Sequence, residues 1–149
     1  MTHPSPRPQD PEKLLRESKL EATPNRVLIL RLLSESHQPR SAPELLAQAR
    51  TERTMNKVTL YRILDLYVDK GLVRRHHAGD RAFRYCLAQP CGQEAVCHFY
   101  CTRCSRMECL HPGDDIWNMA FLRPIQDGRV ETMEIRVDGL CPDCLRQSE

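Results

Sequence analysis

Cysteine is absent from the first 85 residues of this chain, and all eight of its cysteines lie at or after Cys86. That asymmetry divides the chain into two modules of different chemistry. Long apolar runs are also missing. No segment approaches the roughly 20 residues a membrane span needs, so no membrane partner is expected. The opening MTHPSPRP has no apolar core of a secretory signal, and a cytoplasmic location is the expectation. In such a reducing compartment thiols bind metal or do redox work rather than form disulfides. Catalytic signatures are lacking too: there is no Gly-rich phosphate loop, no His-Glu-x-x-His and no nucleophile elbow. A Cys/His catalytic pair has nothing in the pattern to organise it, and the chain is not expected to be an enzyme.

What is present is concentrated in two Cys-x-x-Cys pairs, Cys101-Thr-Arg-Cys104 and Cys141-Pro-Asp-Cys144. Both sulfurs of such a pair can reach one ion, and two pairs from distant segments supply the four thiolates of a structural zinc. Two unrelated turn pairs, or two disulfides, are the alternatives. A chain of 149 residues makes one ordinary domain or two small ones. Small domains bury little apolar surface, and a metal staple in the second module offsets that deficit.

Charge divides at the same place. Residues 1–85 carry 16 Lys/Arg against 10 Asp/Glu, a balance of +6, while residues 86–149 carry 6 against 10, a balance of −4. A basic front half suits a polyanion partner, and an acidic, cysteine-bearing back half suits sensing or assembly. Residues 1–9 read as a disordered tail. Asp10-Pro11 and Thr23-Pro24 each pair a helix cap with Pro at the first helical position. Ser41-Ala-Pro-Glu44 is a capping box. Asn56 caps a fourth helix running to Lys70, before Gly71. Leu60, Ile63, Leu64, Tyr67 and Val68 fall on one face of it, Val58, Arg62 and Asp65 on the other. Residues 72–77 and 82–85 around Ala78-Gly79-Asp80 read as a hairpin. Helices followed by a basic hairpin describe a winged helix-turn-helix. Its fourth helix would offer Lys57, Thr59, Tyr61 and Arg62 to the major groove of double-stranded DNA, with Arg74, Arg75, Arg81 and Arg84 on the phosphates. A helical bundle with a solvated basic face is the competing reading.

These residues, taken together, resemble the ferric uptake regulator family. Thr23-Pro24-x-Arg26-x-x-Ile29-Leu30, Ser41-Ala-x-Glu44-Leu45, Asn56-Lys-Val-Thr59-Leu-Tyr61-Arg62-Ile-Leu-Asp65 and Gly71-Leu-Val carry the first half of the match. His98-Phe-Tyr-Cys101-x-x-Cys104 and Gly139-Leu140-Cys141-x-x-Cys144 carry the second. The resemblance spans residues 10–146 and implies a mixed α/β (α+β) chain: a winged helix over 10–87, a hinge over 88–96 and a metal-binding dimerisation domain over 97–149. It implies a metal-responsive repressor that binds palindromic operators as a homodimer. It makes Tyr61 and Arg62 the DNA-reading pair, Arg26 a phosphate contact, and Cys101, Cys104, Cys141 and Cys144 the structural Zn(2+) ligands. A strand over 131–137 would pair across the dimer. A helix over 114–122 would place Trp117 and Phe121 on that core.

The stretch before the first pair departs from the iron-sensing pattern, reading Cys91-Gly-Gln-Glu-Ala-Val-Cys97-His98 instead of a His-rich run. Cys86 looks like the interdomain cysteine of zinc uptake regulators, and Cys109 stands where many members have Glu. Thiolates suit Zn(II), whereas iron and manganese sensors use more carboxylate and imidazole. The expected regulatory ligands are Cys86, His98 and Cys109, with a fourth from His76, His77, Cys97 or His111, and the expected second ion is Zn(2+), with Fe(2+) the alternative. An ion joining wing and second domain would fix the angle between two recognition helices and so couple metal to DNA. A thiol or peroxide sensor on the same scaffold and a zinc-stapled adaptor that binds no DNA are the other readings. Cys86 and Cys97 as buried strand residues, and His76 and His77 as phosphate contacts, are the plainer roles for those side chains.

Overall fold

The structure is a computed structural model. It describes residues 10–36, 38–78, 82–88, 95–110, 128 and 133–148, with Ala95 and Val96 described by backbone alone. The chain divides into two compact units, residues 1–90 and 91–149.

In the first unit, α1 (Pro11–Glu17) and α2 (Pro24–Glu35) are followed by β1 (Arg40–Ser41), α3 (Ala42–Arg50), α4 (Lys57–Asp69), β2 (Val73–His77) and β3 (Phe83–Leu87), and the three strands form one sheet. Local chemistry starts most of these helices. The Asp10 carboxylate accepts from the Glu12 N–H, Asn56 accepts from the Thr59 N–H, and Ser41 and Glu44 form both halves of a capping box. Thr23 is the exception. It holds the N-cap position with extended backbone, but its side chain accepts no cap hydrogen bond. The fixed φ of Pro24 sets the first turn there, and Arg26 Nη1 donates to the Glu21 carbonyl at 3.0 Å. At the far end of α4, Gly71 takes φ +70°. Its N–H donates to the Val68 carbonyl, and the Leu72 N–H to the Tyr67 carbonyl. This paired closure turns the chain sharply from α4 into β2.

The apolar faces of these elements close one core: Leu15, Ile29, Leu30, Leu45, Leu60, Leu64, Tyr67, Val73 and Tyr85 are all buried. Burial of one such aliphatic side chain contributes about 1.5–3 kcal/mol. β3 is the central strand, paired antiparallel with β2 in the register Val73↔Leu87 and His77↔Phe83, and with β1 through Arg40↔Tyr85. The two-residue β1 has no periodicity to betray it in the sequence. The expected turn residues Gly79 and Asp80, like Arg81, lie outside the described residues.

Tyr67 ties α4 to α2: its hydroxyl donates to the Arg26 carbonyl at 2.7 Å. Burial pushes its pKa well above the ordinary phenol value. Tyr67→Phe should therefore cost about 1 kcal/mol, the net worth of one such hydrogen bond, in denaturant melts at neutral pH. The sign with pH follows. The raised folded-state pKa means stability present below the unfolded value, about 10, is lost as pH rises toward the folded one. The mutant should lack that alkaline loss, and equal alkaline slopes for the two proteins would contradict the assignment.

In the second unit β4 (Ala95–Cys101) lies between β5 (Met107–Leu110) and β6 (Met133–Gly139), and α5 (Pro142–Arg146) follows. β4 begins inside the 88–96 stretch read as a hinge. β5 is antiparallel to β4 and β6 is parallel to it. β6 continues to Gly139, two residues beyond the strand end expected at 137. Glu131, Cys91, His111 and the helix expected over 114–122 with Trp117 and Phe121 lie outside the described residues. No helix of the described residues is long and apolar enough to cross a membrane.

Candidate metal centre and nucleic-acid interface

The parallel pairing of β4 and β6 explains how two distant Cys-x-x-Cys segments meet. Cys101 ends β4 directly beside Gly139, and Cys141 follows two residues later at the N-cap of α5. The Thr102 N–H donates to the Gly139 carbonyl at 2.9 Å, pinning the strand ends together. The chain then reverses through Ser105, at φ 61°. A side chain at Gly139 would meet the Phe99 ring, since a Cβ there would lie 3.3 Å from the ring edge.

The sulfurs of Cys101, Cys104, Cys141 and Cys144 all lie within 4.8 Å of one another. Cys104 Sγ and Cys141 Sγ are 3.8 Å apart, too far for a disulfide bond. That spacing equals the edge of a tetrahedron with zinc–sulfur bonds of 2.3 Å, about 3.8 Å. Cys101, Cys141 and Cys144 are buried, while Cys104 is exposed. The thiols are electrostatically unequal. Backbone N–H groups of Cys104 and then Cys141 lower the Cys101 pKa to about 6, and the Cys141 N–H lies 3.3 Å from its sulfur. Burial pushes Cys144 up to about 12, with its thiol neighbours adding to the shift. Around them, Arg103 Nη1 donates to the Cys144 carbonyl and Arg106 Nη1 pairs with Asp143. This donor set fits a structural zinc, which would supply the cross-link that so small a sheet lacks.

Among the described residues, each unit also sets a cysteine and a histidine opposite or beside one another on paired strands. In the first, His76 Nε2 lies 3.2 Å from Cys86 Sγ, across β2 and β3, with both residues buried. His77, one residue on, points the other way and packs tilted against Phe83, with ring centroids 4.7 Å apart and the planes at 58°. In the second, the register sets buried His98 on β4 directly opposite Cys109 on β5, so the two share a face of the sheet. Cys97 alternates to the opposite face, opposite Leu110, and burial raises its pKa. The structure thus brings His76 to Cys86 and His98 to Cys109, and sets His77 and Cys97 apart from them.

The other candidate surface is the outward face of α4. Lys57, Val58, Tyr61 and Arg62 are exposed there, and Val58 is 58% exposed. Lys57 Nζ sits 5.8 Å from the Tyr61 ring centroid. The Arg62 guanidinium makes no hydrogen bond or ion pair with any described residue. Thr59 is half-buried; its N–H is taken by Asn56 at 2.7 Å. On β2, Arg75 stacks over Phe83 at 4.6 Å and lies 4.0 Å from Asp65. Sequence reasoning passed over Arg50 and Arg53, which line a cleft at the start of α4. One arginine ending α3 and a second within the turn before α4 were the available signal.

The ferric uptake regulator family model matches residues 17–118, and the chain belongs to that family. Its members are metal-responsive transcription regulators, not enzymes. Solved structures carry the same fold. The Vibrio cholerae ferric uptake regulator superposes with TM-score 0.71 at 22% identity, covering 87% of this chain and 98% of its own. The Helicobacter pylori regulator, described as having three functional metal binding sites, gives 0.75 at 15%, covering 94% and 97%. A zinc uptake regulator solved with zinc and DNA gives 0.65 at 26%, covering 92% and 91%. No curated relative matches the chain.

Proposed function

We propose that this protein is a zinc-responsive repressor that binds palindromic double-stranded DNA operators as a metal-loaded homodimer, with the four-cysteine zinc as its structural ion. The outward face of α4 carries the DNA part of the reading. An exposed Tyr61 beside an Arg62 guanidinium with no described partner presents a stacking ring and a two-pronged donor, the chemistry that reads guanine edges in a major groove. The likeness to a zinc uptake regulator bound to zinc and DNA supports the same reading. Lys57, Thr59 and Arg26 are placed in it as backbone contacts, Arg26 with one N–H already held by Glu21.

The metal part rests on donor chemistry. Cys86 with His76, and Cys109 with His98, give each unit a thiolate–imidazole pair. Thiolate–imidazole pairs of this kind favour Zn(II) over Fe(II) or Mn(II). On this reading His77 is a wing residue, Cys97 a buried strand thiol, and His111 a reserve ligand.

Arg62→Ala tests the DNA assignment. Affinity for a duplex selected by the wild-type protein should fall by roughly 1–3 kcal/mol, the worth of one bidentate base contact, in fluorescence anisotropy. Arg62→Ala and Tyr61→Ala proteins that bind it as the wild type does would remove the assignment and leave a zinc-stapled adaptor.

A further inference from the structure

A cleft of about 530 Å³ opens at the turn between α3 and α4, lined among others by Asn25, Arg50, Arg53, Asn56 and Thr59. No carboxylate lines it. Its two arginines are held by one edge only. Arg50 Nε donates to the Met55 carbonyl at 3.0 Å, and Arg53 Nε to Asn25 Oδ1 at 3.2 Å. Neither makes an ion pair with a described residue. Glu52, the acid nearest in sequence, is taken by Arg31, which also pairs with Glu35. Two cations are therefore oriented by neutral acceptors, their outer N–H groups without a described partner, in a cleft with no carboxylate in its lining. Arg53 also borders the adjoining cleft that holds Glu12 and Glu52, and Glu52 is engaged by Arg31. Both side chains are exposed, so the guanidinium edges that their neutral acceptors leave open face a ligand arriving from solvent. Such a fixed fork matches a phosphate oxygen pair.

We propose that this cleft seats one backbone phosphate of the DNA, with Arg53 its principal ligand and Arg50 beside it. The proposal rests on the DNA-binding reading above and deepens it. The cleft lies at the first turn of α4, ahead of Tyr61 and Arg62. A phosphate held there fixes how far that helix advances along the groove. It positions the reading residues and carries no sequence information of its own. A base-reading arginine and a phosphate-clamping arginine must then behave differently.

The test uses the full zinc-loaded protein, a duplex selected by it from random sequence, and an unselected duplex. Binding is followed by anisotropy across a range of KCl concentrations. Arg53→Gln should weaken binding to both duplexes by the same factor. It should also make the log–log salt dependence shallower by about 0.9 per lost phosphate contact. Arg53→Lys should retain the wild-type slope. Asn25→Ala, which keeps the charge and removes only its orienting acceptor, should weaken binding with the slope unchanged, and keeps the test informative should Arg53→Gln not fold. A wild-type slope in a folded Arg53→Gln protein overturns the proposal, as does a loss confined to the selected duplex. Inorganic phosphate forms the control arm. If it stabilises the wild type against heat through Arg53 while DNA binding ignores Arg53, the cleft is a free-anion site and the proposal fails. If the wild-type protein binds neither duplex, the function reading itself falls, a result distinct from an Arg53-independent slope.

Discussion

Cys144→Ser, or Cys101→Ser, is expected to remove about one zinc per chain and with it the fold of residues 91–149. The reason lies in where these thiols sit. Among the described residues Cys101, Cys141 and Cys144 form one buried cluster with Phe99 packed against it, so the zinc ligands are themselves part of the packed interior. The first unit, by contrast, has a broad aliphatic core of its own. A structural zinc of this kind contributes binding free energy as large as the whole folding free energy of a small domain, because no preformed site exists in the unfolded chain. Losing one ligand leaves three thiols, two of them buried, around a charge no longer fully met. The measurement is zinc content by mass spectrometry, beside circular dichroism and sedimentation. The expected protein has lost its zinc and its dimer while keeping the helical signal of the first unit. A dimeric variant with unchanged zinc would refute the structural role.

The second large effect is expected at Cys86, and it is a loss of control rather than of fold. Cys86→Ser should leave the zinc of the four-cysteine cluster and the dimer intact. It should make DNA binding indifferent to added metal. Cys86 lies on β3 beside His76, and none of the four clustered cysteines belongs to that strand. Serine keeps the size of the side chain and removes the soft donor, so the β2–β3 pairing is preserved while a ligand is lost. Cys109→Ser, in the other unit, should give the same phenotype, since a response built from both pairs needs each. In the wild type, Zn(II) should activate DNA binding at lower free concentration than Fe(II) or Mn(II). Cu(I) also favours thiolates, and preference over copper does not follow. Retained metal dependence in Cys86→Ser would place the sensing ligands wholly within residues 91–149, with Cys97 and His111 next in line. Response to peroxide in place of metal would favour a thiol sensor on the same scaffold.

The legibility of these features varied for physical reasons. Ser41 with Glu44, and Asn56 with Thr59, are neighbours along the chain, and their caps form as read. Thr23 had the same signature and makes no such bond. A cap needs the side chain to be free to turn inward, while a following Pro and the Arg26–Glu21 contact can set the same helix start without it. The inward face of α4 was visible as a 3.6-residue period in Leu60, Ile63, Leu64 and Tyr67, all of which are buried. β1 was invisible, because two residues carry no period.

Sequence by itself determined the division of labour in this protein: a basic, cysteine-free front and two chelating Cys-x-x-Cys pairs behind it. Chelate spacing, capping and helical period depend on residues a few positions apart, and chain stereochemistry enforces them before any tertiary contact exists. Tertiary structure decided which distant partners those groups meet. The parallel register of β4 and β6 brings Cys101 beside the segment leading to Cys141. The antiparallel register of β4 and β5 sets His98 against Cys109 and sends Cys97 to the other face. The hairpin selects His76 over His77 for Cys86. The end of α3 and the turn after it bring Arg50 and Arg53 to one cleft whose lining holds no carboxylate. A one-residue slip in any strand would reverse which side chains share a face, and that choice is made by burial across the whole sheet rather than by any short stretch of sequence.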